Sequence, residues 1–333
     1  MVSSDTKGRV KGSSITGMIL LLLLVVAGLA FQFLPEPPEQ HYEGVALEPG
    51  VFYASSRLPE PAGLKWLVST TAGKIDLNSS PAPPLTRDAR YVILVHGHEA
   101  PEQRVATYFA DLAAHLAHTT DRRLVIYDWT SVDPNFDRAL QRSESRKQAR
   151  GLIALNSGVP GRDPAAQWPA SSYRVDRMYA SSSGAKGLSA LIGVLSASGA
   201  KSIALAGHSM GCYVIAQTFL AYPDAAATVN EVIMLAPDVK GTLWDEPRLR
   251  SPKFAGTRFD IFYSPSDLVL RVLSTTMNFG SRLGATGASG ALPLPANVDL
   301  HDATPLIPDG AEVHGWYKTA AGAQALDLAG LLK

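Results

Sequence analysis

The chain has 333 residues, 46% of them hydrophobic and 18% charged, with 30 Lys+Arg balanced by 30 Asp+Glu. So apolar a chain can bury a sizeable core, which excludes wholesale disorder, and a net charge of zero leaves no global field to gather nucleic acid. The single cysteine, Cys212, excludes an internal disulfide, a zinc ribbon and a cysteine-held iron–sulfur cluster.

Residues 1–14 form a short basic segment with Lys7, Arg9 and Lys11. Residues 15–34 follow as ITGMILLLLLVVAGLAFQFL, without a charge. At about 1.5 Å per residue this run reaches ~30 Å, the thickness of a bilayer core. The spacing predicts a transmembrane anchor, with the basic flank held in the cytoplasm and the rest of the chain sent to the periplasmic or extracellular side. A signal peptide cleaved near Gly28-Leu29-Ala30 is the alternative, leaving a secreted protein. Residues 35–49, opening with PEPPEQ, read as a stiff spacer.

From residue 50 to 333, short apolar runs alternate with helical patterns. Strands are predicted at Val51–Ser55, Trp66–Thr71, Tyr91–His96, Leu124–Asp128, Ser202–Leu205, Val232–Leu235, Phe259–Tyr263 and, more weakly, Val298–Leu300. Helices are predicted at Val105–Leu116 and Cys212–Leu220. Such alternation argues for an α/β domain: a mostly parallel central sheet with helices on both faces. Asp133–Ser171 breaks the alternation and reads as an insertion. Within it, Arg138, Arg142, Arg146 and Arg150 recur at helical spacing, which suits a solvated face or one that meets anionic headgroups. Gly284–Pro295 reads as a flexible loop.

The sharpest motif is Gly207-His208-Ser209-Met210-Gly211, with a strand before it and a helix after it. In that context G-x-S-x-G is a strained turn that exposes a nucleophilic serine at a helix N-terminus. Ser209 needs an oxyanion hole, a base and an acid to orient the base. Tyr91–His96 runs into His96-Gly97-His98, so the backbone N–H groups of His98 and Met210 are the expected oxyanion donors. A metal at His96, His98 and Glu99 is disfavoured, because alternate strand residues point to opposite faces. The chain order should be Ser, acid, His. Asp267, in FYSPSD after the second strand beyond the serine, is the expected acid, with Asp238 in LAPD as the alternative. His314, in VHGWY, is the expected base, with His301 as the alternative. Cys212 reads as a packing residue. Tyr127, Trp129, Trp168 and Trp316 suit either a substrate pocket or the core.

These residues resemble the α/β-hydrolase superfamily, and more narrowly a group of bacterial α/β-hydrolases known as a domain of unknown function. The likeness is carried by FYASSR at Phe52, LVHGHE at Leu94, YDWTS at Tyr127, YRVD at Tyr173, AGHSMG at Ala206, LAPDV at Leu235, YSPSDLVL at Tyr263 and VHGWY at Val313. The resemblance implies an α/β-hydrolase fold from about Val51 to the C-terminus, with Ser209, Asp267 and His314 in the nucleophile, acid and base places. Two features depart from the group: His98 stands where an aromatic residue is usual, and Asp133–Ser171 is long. The expected activity is a serine hydrolase that cleaves an acyl bond, foremost a carboxylic ester, through an acyl-enzyme, with no metal or organic cofactor. Its expected partners are a small-molecule or lipid ester and the membrane. Acyl transfer or amide hydrolysis by the same triad is one alternative. An inactive, membrane-tethered binding protein on a hydrolase scaffold is the other.

Overall fold

A computed structural model describes residues 51–56, 65–69, 75–76, 85–98, 108–131 and 170–331. The basic N-terminal segment, the 15–34 run, the spacer, Glu99, the four spaced arginines and Trp168 lie outside the described residues, as does the insertion up to residue 169. Among the described residues, no helix is long and apolar enough to cross a membrane.

The apolar runs become strands: β1 (Val51–Ser55), β2 (Lys65–Ser69), β3 (Ile75–Asp76), β4 (Arg90–Val95), β5 (Arg123–Asp128), β6 (Ser202–His208), β7 (Glu231–Leu235), β8 (Arg258–Tyr263) and β9 (Val298–Asp302). They join in one sheet in the order β3-β2-β1-β5-β4-β6-β7-β8-β9. From β1 to β9 along the sheet every pairing is parallel, and at one edge β2 alone is reversed, pairing antiparallel with both β1 and β3. The principal helices are α1 (Ala110–Thr119), α2 (Ala170–Tyr179), α3 (Ala185–Ala197) and α4 (Met210–Ala221).

Side chains along a strand alternate between faces, and here both faces are covered. Ile93, Val95, Ile203 and Leu205 pack with Leu188 and Leu191 of α3 and with Val214, Ile215 and Phe219 of α4. Val92, Leu94, Ala204 and Ala206 pack on the other side with Leu112 and Leu116 of α1 and with Leu326 near the C-terminus. Burial on both faces is why the central strands read as unbroken apolar runs rather than alternating ones. Each fully buried Ile, Leu or Val contributes about 1.5–3 kcal/mol. Tyr127, Trp129 and Trp316 are all buried in this packing, so they belong to the core and not to a substrate pocket.

Three local details differ from the sequence reading. Residues 170–171, assigned to the insertion, are the first of α2. Ile75–Asp76 is a two-residue strand that was not expected. The Gly284–Pro295 loop begins as part of a helical turn, Leu283–Thr286. A β-carbon on Gly284 would come within 2.5 Å of the Ala236 and Pro237 backbone, so that glycine serves close packing rather than flexibility.

Because the strands are parallel, their carboxyl ends lie along one edge. The loops after Val95, His208, Leu235, Tyr263 and Asp302 therefore converge there, where open α/β sheets place their sites.

Candidate active site

Ser209 occupies the turn between β6 and α4 with φ 53° and ψ −119°. A non-glycine residue with positive φ stores roughly 1–3 kcal/mol of strain. Here the turn is held by its own backbone: the Ser209 N–H donates to the Leu235 carbonyl at 3.0 Å, and the Ser209 carbonyl accepts from Cys212 and Asp238, each at 3.1 Å. Gly211 is obligatory on steric grounds, since a β-carbon there would sit 2.2 Å from the Val95 carbonyl oxygen. That contact seats the N-terminus of α4 on the end of β4, where the N–H groups of its first turn have no acceptor within the helix.

The expected base and acid arrive from two further loops. His314 Nδ1–H donates to Asp267 Oδ2 at 2.7 Å, and the Ser209 hydroxyl donates to His314 Nε2 at 3.0 Å. Asp267 is buried, and its other oxygen accepts the Leu270 N–H at 3.0 Å, so both of its oxygens are committed. Ser209, His314 and Asp267 thus form one continuous chain of hydrogen bonds. The structure separates the alternatives from it. His301, on β9, donates to Asp260 at 2.9 Å and stacks on Phe262, so its ring is taken up within the sheet. Asp238 lies beside the serine in space but does not face His314. Its carboxylate accepts from Arg282 Nε at 2.7 Å, from the Tyr173 hydroxyl at 2.5 Å and from Ser274. Burial alone would raise the Asp238 carboxyl, but Arg282, Arg177 and the Ser274 and Tyr173 hydroxyls outweigh it and hold it below its ordinary value.

That arrangement makes Asp238 a structural counter-ion with a testable cost. Its partner Arg282 is fully buried, and removing one member of a buried pair costs about 3–5 kcal/mol. Asp238→Asn should lower the free energy of unfolding by that amount at neutral pH in a denaturant titration. A folded-state pKa held below the unfolded value of about 3.9 gives stability that is complete above that pH and lost as pH falls through the folded value. The gap between wild type and variant should therefore shrink in titrations taken to more acidic pH.

The loop expected to supply an oxyanion donor also passes close to the serine. A β-carbon on Gly97 would lie 3.1 Å from Ser209 Cβ and 2.4 Å from the Tyr108 hydroxyl, so the His96–His98 backbone passes directly over the elbow. His96 is buried beneath it, stacked on Trp129 and accepting the Trp129 backbone N–H at 3.2 Å. His98 turns the other way and donates through Nδ1 to Asp176 Oδ2 at 2.6 Å, an oxygen that also takes the Ser131 hydroxyl at 2.6 Å. The two histidines thus serve different partners. Among the described residues, no three His, Cys, Asp or Glu side chains converge as a metal ion would require. Cys212 is buried with its thiol donating to the Gly207 carbonyl at 3.0 Å, and burial pushes its pKa well up, as suits a packing residue.

Sequence reasoning missed Asp176, Tyr108, His208 and Arg282 as site residues. Asp176 lay within the YRVD fragment and His208 within the elbow motif, but neither spacing named a partner. Arg282 had no signal at all. A cavity of about 480 Å³ opens at the opposite edge of the sheet, where Arg90, Ser202, Glu231 and Arg258 begin their strands; no residue of the Ser–His–Asp chain lines it.

The parallel sheet with a serine at the strand–turn–helix elbow after β6 makes the fold that of an α/β hydrolase. The chain belongs to the family described as alpha/beta hydrolase of unknown function (DUF900), whose model matches residues 84–293. No curated protein matches it. Among solved structures it is similar to lipase B of Aspergillus fumigatus, with 14% identity and a TM-score of 0.34 over 74% of this chain and 54% of that one. It is similar to the carboxylesterase EstE1 from a metagenomic library, with 13% identity and a TM-score of 0.38 over 74% and 80% of the two chains. It is also similar to an esterase of Pyrobaculum calidifontis, with 12% identity and a TM-score of 0.35 over 74% and 77%. This chain spans about half the length of the Aspergillus lipase.

Proposed function

We propose that the protein is a serine hydrolase that cleaves acyl bonds, foremost carboxylic esters. The observation that carries this reading is the hydrogen-bonded run from Ser209 Oγ to His314 Nε2 at 3.0 Å and from His314 Nδ1 to Asp267 at 2.7 Å. A hydroxyl is a poor nucleophile unless a neighbouring base takes its proton. His314 is within reach to do so, and Asp267 fixes the tautomer that leaves Nε2 free to accept. Ser209 attacks the acyl carbonyl, and the proton moves to His314. The oxygen of the tetrahedral intermediate takes hydrogen bonds from the backbone N–H groups of Met210 and His98. His314 returns the proton to the leaving alcohol, and the acyl group stays on Ser209. Water, deprotonated by His314, then attacks the acyl carbonyl, and His314 returns that proton to Ser209 Oγ as the acid leaves. The helix N-terminus at Met210 supports the developing negative charge.

The test is a panel of p-nitrophenyl esters of rising acyl length, run beside mass spectrometry of the protein treated with a fluorophosphonate. The expected result is turnover of at least one ester and a single covalent adduct on the peptide that contains Ser209. A folded protein that neither turns over esters nor takes up the probe would overturn the reading.

A further inference from the structure

We infer that His208 and Tyr108 are positioning residues that hang the backbone of His314 from the oxyanion loop, an inference that rests on the serine hydrolase reading. His314 lies on a loop 12 residues beyond the end of β9, so no strand or long helix fixes its place. Its backbone carbonyl accepts from His208 Nε2 at 2.7 Å, and His208 Nδ1 lies 2.7 Å from the Tyr108 hydroxyl. The Tyr108 hydroxyl in turn lies against Gly97, where a β-carbon would have no room beside it.

The donors and acceptors in this run can be assigned without ambiguity. A carbonyl only accepts, so His208 Nε2 must carry the proton. In the neutral ring Nδ1 then accepts, and the tyrosine hydroxyl supplies the proton. The direction is therefore Tyr108 O–H to His208 and His208 N–H to His314. His208 is buried, and burial, followed by the neighbouring His314 and Lys318, holds its pKa well below the ordinary histidine value. It stays neutral where His314 must take up a proton, which matters because the two ring centres are 4.9 Å apart. One ring thus links the three loops that must meet at Ser209: the oxyanion loop, the elbow and the loop of the base. Such linked networks keep a geometry that no single contact would hold.

The experiment measures kcat and KM for a p-nitrophenyl ester, and the fluorophosphonate labelling rate, on the full chain and three variants. Tyr108→Phe keeps the ring and deletes the hydroxyl. His208→Phe keeps the bulk and deletes both bonds. His208→Gln restores a donor and an acceptor about as far apart as the two ring nitrogens. A misplacement of about 1 Å at a reacting group costs roughly 10²-fold. His208→Phe should therefore lose about 100-fold in kcat and in labelling rate with KM within about twofold, and Tyr108→Phe about 10-fold. His208→Gln should recover to within about 10-fold of wild type. An active wild type beside a folded His208→Phe with wild-type kcat, or a His208→Gln no better than His208→Phe, overturns the positioning role alone. If His208→Phe does not fold, Tyr108→Phe at wild-type kcat does the same. A wild type inert to both ester and probe overturns the hydrolase reading and this role together.

Discussion

Ser209→Ala is expected to lower ester turnover by about 10⁴-fold or more and to abolish fluorophosphonate labelling, with the fold retained. The substitution removes one oxygen, the atom that donates to His314 Nε2 at 3.0 Å. It does not remove what shapes the elbow. Alanine can take the bonds that Ser209 makes through its backbone, from its N–H to Leu235 and from Cys212 and Asp238 to its carbonyl. It can also share the strained φ of 53°, because that strain comes from a β-carbon which both residues have. The thermal midpoint and circular dichroism should thus stay near wild type, so lost activity reads as lost chemistry. A small residual rate over water is expected from the oxyanion N–H groups and substrate binding. Persistent labelling would put the nucleophile elsewhere, and Cys212 is a poor candidate, since its thiol is buried and burial raises its pKa.

How far the sequence reveals this site depends on whether the information is local. The elbow is local. Two glycines set the steric clearance against Val95 and Ile215, and the apolar strand before it supplies the context. The expectation of Asp267 rather than Asp238 came from counting strands, because a parallel sheet delivers successive strand ends to one edge in register, and Asp267 is the carboxylate that bonds His314. That Asp238 belongs to Arg282, 44 residues away, was not legible, since nothing along the chain pairs a buried carboxylate with a distant guanidinium. The same holds for the His98–Asp176 bond, whose partners are 78 residues apart.

Local composition also misled in places. At Ser181, Ser182 and Ser183 the hydroxyls donate back to the Met178 and Tyr179 carbonyls, and the chain stays helical through a π-turn, Ala180–Gly184, that joins α2 to α3. Such back-bonding satisfies the hydroxyls and loosens the helix rather than ending it. The glycine at 284 reads the same in sequence whether it gives freedom or close approach; only the Ala236–Pro237 backbone against it decides.

Asp267→Asn and His314→Ala carry the second large expectation, and comparing them separates orientation from proton transfer. Asn keeps the shape of Asp267 and an oxygen to accept the Leu270 N–H, so the turn should hold. Its amide offers hydrogens where the carboxylate took one from His314 Nδ1. The ring is then favoured in the tautomer that carries its proton on Nε2, the atom needed to accept from Ser209. A loss of about 10⁴-fold in kcat is expected from that change alone. His314→Ala removes the base itself but leaves the carbonyl that His208 holds, so the loop should stay in place and the loss should be at least as large. The effects should not add: with His314 gone, Asp267 has no ring to orient, and the double variant should match the worse single one. His301→Ala gives the contrast. Its ring bonds Asp260 and stacks on Phe262, so kcat should stay within about twofold while stability falls by roughly 1–3 kcal/mol from the buried acceptor left without its donor. Additive losses for Asp267 and His314, or a large loss in kcat for His301→Ala, would show that the base had been assigned to the wrong histidine.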